Sequence, residues 1–138
     1  MAEMIKTKQA EWEKYAGIRT KPRYLLLEPE EGQHYFPIAR QPICSHEIVQ
    51  SLGDDVIQYI LIQSLYRNLY EIAKIETGII YAQAITIATN QNFPPEIAMD
   101  AFTVAIDEVY HAYRASDIMQ QLSLKTAILP LSFPTAQL

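Results

Sequence analysis

The hydrophobic and polar positions divide the chain into three stretches. Residues 1 to about 44 are punctuated by Pro22, Pro29, Gly32, Pro37 and Pro42, which fix turns or remove helix donors and leave little room for long regular elements. Only Glu11-Trp-Glu-Lys-Tyr15 reads there as a short helix. From Val49 to Thr89 there is no proline, and Ile, Leu, Tyr, Ala and Gln dominate. Asp54 and Asp55 stand where a helix N-terminus favours negative charge, so a helix is expected from about Asp54 to Ala88. Along it Ile62, Leu65, Leu69, Ile72, Glu76, Ile79 and Gln83 recur at alternating steps of three and four, one continuous helical stripe. Ile57, Ile60, Leu61, Ile75, Ile80 and Ile85 make other faces apolar too, which predicts a helix buried on most sides.

Asn90-Gln-Asn-Phe-Pro-Pro95 is a stop and a restart. Its prolines cannot continue the first helix but suit the opening turn of a second, where Glu96 meets the positive helix end. The second helix is expected to reach about Leu122, with a stripe at Ile97, Ala101, Val104, Glu108, His111, Ala115, Ile118 and Leu122. From Thr126 onward the tail has no charge and two prolines, as a segment that packs on something. The organisation is thus an irregular N-terminal arm (1–53), an antiparallel helical hairpin (54–123) and an apolar tail (124–138).

Composition narrows the function. The 138 residues, 49% of them hydrophobic, suffice for one globular domain. Eleven basic against sixteen acidic side chains, with no basic run, argue against nucleic acid, whose binding rests on phosphate neutralisation. A small molecule or another protein is the expected partner. The uncharged run from Thr77 to Pro95 is too polar, through Gln83, Asn90, Gln91 and Asn92, to cross a membrane. Cys44 stands alone, so no intramolecular disulfide or all-thiolate zinc site can form. With a start, Met1-Ala-Glu-Met-Ile-Lys, that lacks a signal-peptide core, a cytoplasmic location is expected.

Three metal-ligating side chains interrupt the two stripes: Glu76 on the first, Glu108 and His111 on the second. A carboxylate buried without a partner costs several kcal/mol, and Ile72, Ala73, Ile79 and Ile80 offer Glu76 none. In an antiparallel hairpin turning at Asn92, Glu76 and Glu108 stand sixteen residues from the turn on either side, at the same height. His111 follows at i+3 on the face of Glu108. A Glu from one helix and Glu-x-x-His from its neighbour make half of the ligand set of carboxylate-bridged two-metal bundles. Carboxylates bridge and neutralise two cations, and imidazole caps each; iron suits this set, and manganese or zinc could occupy it. The tetrapeptide alone is weak, because about one chain in four of this composition contains it by chance. Glu31-Gly-Gln-His34 matches as well, between two prolines and without helical context. For Glu108 and His111 the alternative is a core histidine satisfied by Asp107, with Glu108 turned to solvent.

The segment from Tyr35-Phe-Pro-Ile through Leu65-Tyr-Arg-Asn-Leu-Tyr-Glu-Ile-Ala-Lys-Ile-Glu76, then Ala105-Ile-Asp-Glu-Val-Tyr-His-Ala112 and the proline-containing tail, resembles the N-terminal half of the para-aminobenzoate N-oxygenase (AurF-like) di-iron family. The resemblance covers about residues 35 to 135. It implies an all-α, ferritin-like helical bundle and makes Glu76, Glu108 and His111 iron ligands. It further implies an enzyme that activates dioxygen to oxidise an aryl amine nitrogen. Asp107 could hold His111 from behind, as carboxylates often do for ligating histidines. The family supplies further Glu and His ligands from later helices, whereas no Glu or His follows His111 here. One copy therefore holds half a site, which is completed by a second copy in a homodimer or by another chain, or not at all. Two rivals remain at this level: a non-catalytic metal-binding helical dimer and a metal-free interaction module. Tyr66, Tyr70, Tyr110 and Tyr113 could line a cavity or fill core. His46, Glu47 and Glu71 read as solvated, Cys44 as no nucleophile, and Lys74, Arg67 and Arg114 as pairing or solvent-facing charges.

Overall fold

A computed structural model describes residues 2–132, with side chains from residue 8 onward. Among these residues every regular element is helical and no strand occurs, so the chain is all-α. The elements are α1 (Ala2–Tyr15), α2 (Gly17–Thr20), 3-10 turns at Ile38–Arg40 and Pro42–Ser45, α3 (Glu47–Ser51), α4 (Asp54–Ile75), a π-helical segment (Glu76–Tyr81), α5 (Ala82–Ala88) and α6 (Pro95–Thr126). No helix among the described residues is long and apolar enough to cross a membrane. The arm is more ordered than its prolines suggest: its first proline is Pro22, and the proline-free run before it makes all of α1 rather than the short Glu11–Tyr15 helix.

The helix boundaries follow local chemistry. Gly53, at φ +97, takes a left-handed turn that a side chain would strain, and Asp54 and Asp55 open α4 directly after it. After α5 the Asn90 side-chain oxygen accepts from the Asn92 N–H at 2.9 Å, making the local turn that short polar side chains favour. Pro95 then opens α6. That helix runs one turn past the expected Leu122, to Thr126, whose hydroxyl donates to the Leu122 carbonyl and accepts from the Ile128 N–H.

The chain divides into two compact units, each discontinuous in sequence. The first comprises Met1–Tyr24 and Glu71–Ser116, and the second Leu25–Tyr70 and Asp117–Leu138. In the second unit Phe36, Cys44, Ile57 and Leu61 form one buried cluster and Ile62, Tyr66 and Leu122 another. Its tail is docked by polar contacts as well as by Ile128. Tyr66 donates to the Ile128 carbonyl at 2.7 Å, and the Gln63 amide donates to the Leu129 carbonyl and accepts from the Leu131 N–H. The apolar tail thus finds its surface within its own unit as far as Leu131; residues 133–138 lie outside the described residues.

The first unit is built differently. Its buried apolar residues are Ala16, Ala84, Ala88, Ala101, Ala105, Ala112 and Ala115, while Ile72, Ile75, Ile79, Ile80, Phe102 and Val104 are exposed. This corrects two expectations: the first helical stretch is not buried on most sides beyond Leu69, and the stripe on α6 is not uniformly core. The inward edge of α6 runs through the alanines at 101, 105, 112 and 115, and Ile97, Val104 and His111 form an adjacent, exposed edge. Small side chains can be covered by one neighbouring helix, whereas the branched ones beside them need a further surface.

Candidate metal centre

Glu76 opens the π-helical segment. A π turn holds one residue more than an α turn, and such turns inside α-helices gather at functional sites. Here it resets the register. An uninterrupted α-helix would carry the stripe from Glu76 to Ile79 and Gln83, yet both are exposed, and Ala84 and Ala88 turn inward instead. The local sequence favours the break. Thr77 donates from its hydroxyl to the Ala73 carbonyl at 2.8 Å, competing with the helix ladder, and Gly78 is a weak helix former.

On α6, Glu108 and His111 share a face, and Ala105 and Ala112 flank Glu108 one turn away on either side. These small neighbours leave room for a long carboxylate side chain and for an ion beside it. One ligand atom from each of Glu76, Glu108 and His111 lies within 4.8 Å of the other two, the convergence that the spacing about Asn92 predicts. The His111 Nδ1 stands 3.8 Å from Glu76 Oε2 and 3.9 Å from Glu108 Oε2. Those gaps exceed a hydrogen bond. Both carboxylate oxygens are buried and neither has a hydrogen-bond partner. His111 is half exposed, with 52% of its side chain accessible against 20% for Glu76 and 16% for Glu108.

Two buried acceptors without donors, facing an imidazole nitrogen across a gap, are costly in a protein alone. A cation removes that cost. Carboxylate oxygen and imidazole nitrogen bind transition metals at about 2.0–2.2 Å, so two donors on one ion stand about 3–4.4 Å apart, the range of the two gaps measured here. The donor set of two carboxylates and one imidazole also matches divalent first-row metals rather than calcium, which takes oxygen ligands only. The residues present therefore fit such an ion.

Asp107 has a specific partner: both of its carboxylate oxygens accept from the Trp12 indole N–H at 3.2 Å. This bond ties α1 to the residue preceding Glu108 and gives Asp107 a partner other than the expected His111. Nothing in the spacing of the α6 stripe pointed to Trp12, which is ninety-five residues away in sequence; it is the only tryptophan in the chain.

The remaining candidates take structural places. Among the described residues no metal-ligating group includes His34 or His46. The His46 ring accepts from the Ile48 N–H and caps α3. Tyr66 fills core and holds the tail by its hydroxyl, Tyr110 and Tyr113 stack at 6.2 Å between ring centroids, and Tyr70 is exposed. Arg114 donates to the Pro22 carbonyl and lies over the Tyr110 ring. Cys44 is buried, and burial pushes its thiol up, away from nucleophilic use.

Compared with protein-family models, curated proteins and solved structures, the chain finds no match.

Proposed function

We propose that this chain binds a divalent transition metal, iron foremost, through Glu76, Glu108 and His111, and that these residues are half of a two-metal oxygenase centre of the para-aminobenzoate N-oxygenase type. The observation that carries the reading is the pair of buried, unpartnered oxygens, Glu76 Oε2 and Glu108 Oε2, facing His111 Nδ1. In this reading the π segment, α5 and α6 form an antiparallel hairpin of a ferritin-like bundle. The resemblance of the two ligand-bearing segments to that family supports the reaction class. The substrate class is a small aromatic amine, and dioxygen is the oxidant.

When bound, a pair of such ions would supply electrons and open coordination positions for dioxygen. The chain's own contribution is separable from that. Glu76 and Glu108 offset the positive charge of the ions; two carboxylates held together in a partly buried site repel each other until a cation lies between them. His111 supplies a nitrogen donor at the open side of the group. Trp12 and Asp107 brace α6 one residue before Glu108. The overall reaction is balanced by an external two-electron reductant: one oxygen atom goes to the amine nitrogen, and the other leaves as water with two protons.

Anaerobic Fe(II) titration, followed by desalting and metal analysis, tests the binding. About one iron per chain is expected, with loss in Glu108→Ala and in His111→Ala. Trp12 reports independently, because a paramagnetic ion beside Glu108 quenches its emission. Retention of iron by both variants, or no stoichiometric iron in the unaltered chain, would sink the reading. Aryl amines with oxygen and reductant then test turnover; iron binding without oxidised amine would reduce the function to metal binding.

A further inference from the structure

We infer that a second copy of this chain covers the open side of the site, so that Glu76, Glu108 and His111 of each copy together hold one pair of metal ions. The inference rests on the metal-binding reading and goes beyond it by naming the partner.

Three observations lead there. The first is stoichiometric. A complete carboxylate-bridged pair takes a Glu from each of two helices and Glu-x-x-His from each of two others. One copy provides one of each, and the described residues contain no second group of this kind. A twofold axis doubles what is present into the whole set, because an isologous interface brings the same residues from both partners to one place.

The second is the direction in which the site is open. The carboxylate oxygens that face His111 are buried, while His111 itself is half exposed. Exposed apolar side chains stand close to the ligands along both ligand-bearing helices. Ile72 and Ile80 lie one turn before and one turn after Glu76, Val104 lies one turn before Glu108, and Ile97 lies two turns before Val104; all four are exposed. On α6 these positions continue the stripe that includes His111, at steps of seven from Ile97 to Val104 to His111. Branched side chains in a row beside metal ligands are the pattern of a bundle seam.

The third is the contrast within the unit. The alanine edge of α6 is buried inside the unit, and the adjacent Ile97–Val104–His111 edge is not. A contiguous exposed apolar patch marks an interaction surface. Here exposed apolar residues lie one turn from Glu76 and from Glu108, and a second copy brings both another Glu76, Glu108 and His111 and the same apolar edge.

Manganese(II) serves as a probe that does not turn over with oxygen. Mass by light scattering, Mn(II) per chain and electron paramagnetic resonance are measured on one sample. The expected result is dimer mass, about one Mn(II) per chain, and the spectrum of two coupled ions, which at that stoichiometry requires ligands from both copies. Val104→Arg and Ile80→Arg alter exposed positions that are not ligands. Each should keep the helical circular dichroism of the parent, shift the mass to monomer, and weaken Mn(II) binding by about tenfold or more, since a charge buried at the seam has no partner. Undiminished Mn(II) binding at monomer mass, with the spectrum of an isolated ion, overturns the inference and leaves the metal reading standing. A dimer that takes up neither Mn(II) nor Fe(II) overturns both.

Discussion

The two units bury different kinds of residue. In Leu25–Tyr70 with Asp117–Leu138 the interior is Phe36, Ile57, Leu61, Ile62, Tyr66 and Leu122, and polar groups around it are paired: Tyr66 with the Ile128 carbonyl, Gln121 with the Leu26 N–H, Gln41 with Ser64. In Met1–Tyr24 with Glu71–Ser116 the buried apolar residues are alanines, many large apolar side chains are exposed, and two buried carboxylate oxygens lack partners. The second unit also exposes large apolar side chains, Leu27 and Leu124 among them, so the difference lies in what is buried and in the pairing of its polar groups. The first buries alanines, leaves branched side chains exposed beside them, and holds two buried carboxylate oxygens without donors. In the proposed metal-binding reading these are groups arranged for a cation, which stand unpaired without it.

Large-to-small substitution separates the units most sharply. Leu122 is fully buried in the second unit, and Leu122→Ala should cost about 2–5 kcal/mol through lost transfer energy and a cavity. Denaturant midpoints check this, and a loss below about 1 kcal/mol would mean that the cluster around Leu122 collapses freely or is not tight. The mirror-image change in the first unit adds volume. Ala105→Leu should cost about 1–3 kcal/mol by overpacking a buried edge, and should reduce iron binding by filling the space beside Glu108 one turn away.

The unpaired carboxylates predict a change of opposite sign. Glu76→Gln should raise the stability of the metal-free protein, by about 0.5–2 kcal/mol, while abolishing stoichiometric metal. Equal destabilisation with and without metal would show Glu76 to be an ordinary structural side chain. In the second unit Tyr66→Phe leaves the Ile128 carbonyl without its donor and should cost about 1 kcal/mol, read as earlier proteolysis near the tail. The same change in the first unit's exposed Tyr113, whose surroundings are solvent and the Tyr110 ring, should be close to neutral.

The smallest effect concerns pH. Burial, and then the hydrogen bond to Glu28 at 2.8 Å, push the Tyr35 phenol up to about 12 from its usual 10. A group whose pKa is raised on folding contributes stability below the unfolded value and loses it as the pH rises through the folded one. The second unit should therefore weaken between pH 10 and about 12, and Tyr35→Phe should remove that part of the alkaline slope. An unchanged slope would mean that the Tyr35–Glu28 bond is not kept in solution.

Much of the fold was legible because it depends on local rules. The absence of proline from Val49 to Thr89, the pair of prolines before Glu96 and the paired aspartates at 54 and 55 place the helix ends close to where they occur. The convergence of Glu76 with Glu108 and His111 was legible too, since distance from a turn sets height along a helix. What escaped was register and cover. A stripe drawn at constant α-helical period passes through Ile79 and Gln83, and the π turn at Thr77 and Gly78 diverts it to Ala84 and Ala88. On α6 the expected stripe holds for Ala101 and Ala115, which are buried, but burial passes to Ala105 and Ala112 beside it while its Ile97 and Val104 are exposed.

By itself the sequence determined where the two long helical stretches begin, that the fold is all-α, and that Glu76, Glu108 and His111 come together. These follow from backbone propensities, proline geometry and helical rise, which act over a few residues at a time. Tertiary structure alone decided which edge of each helix turned inward, that Trp12 would meet Asp107, and that two carboxylate oxygens would be buried without donors. Burial and pairing depend on what lies across the gap, and a side chain's neighbours in space are set by packing rather than by its neighbours in the chain.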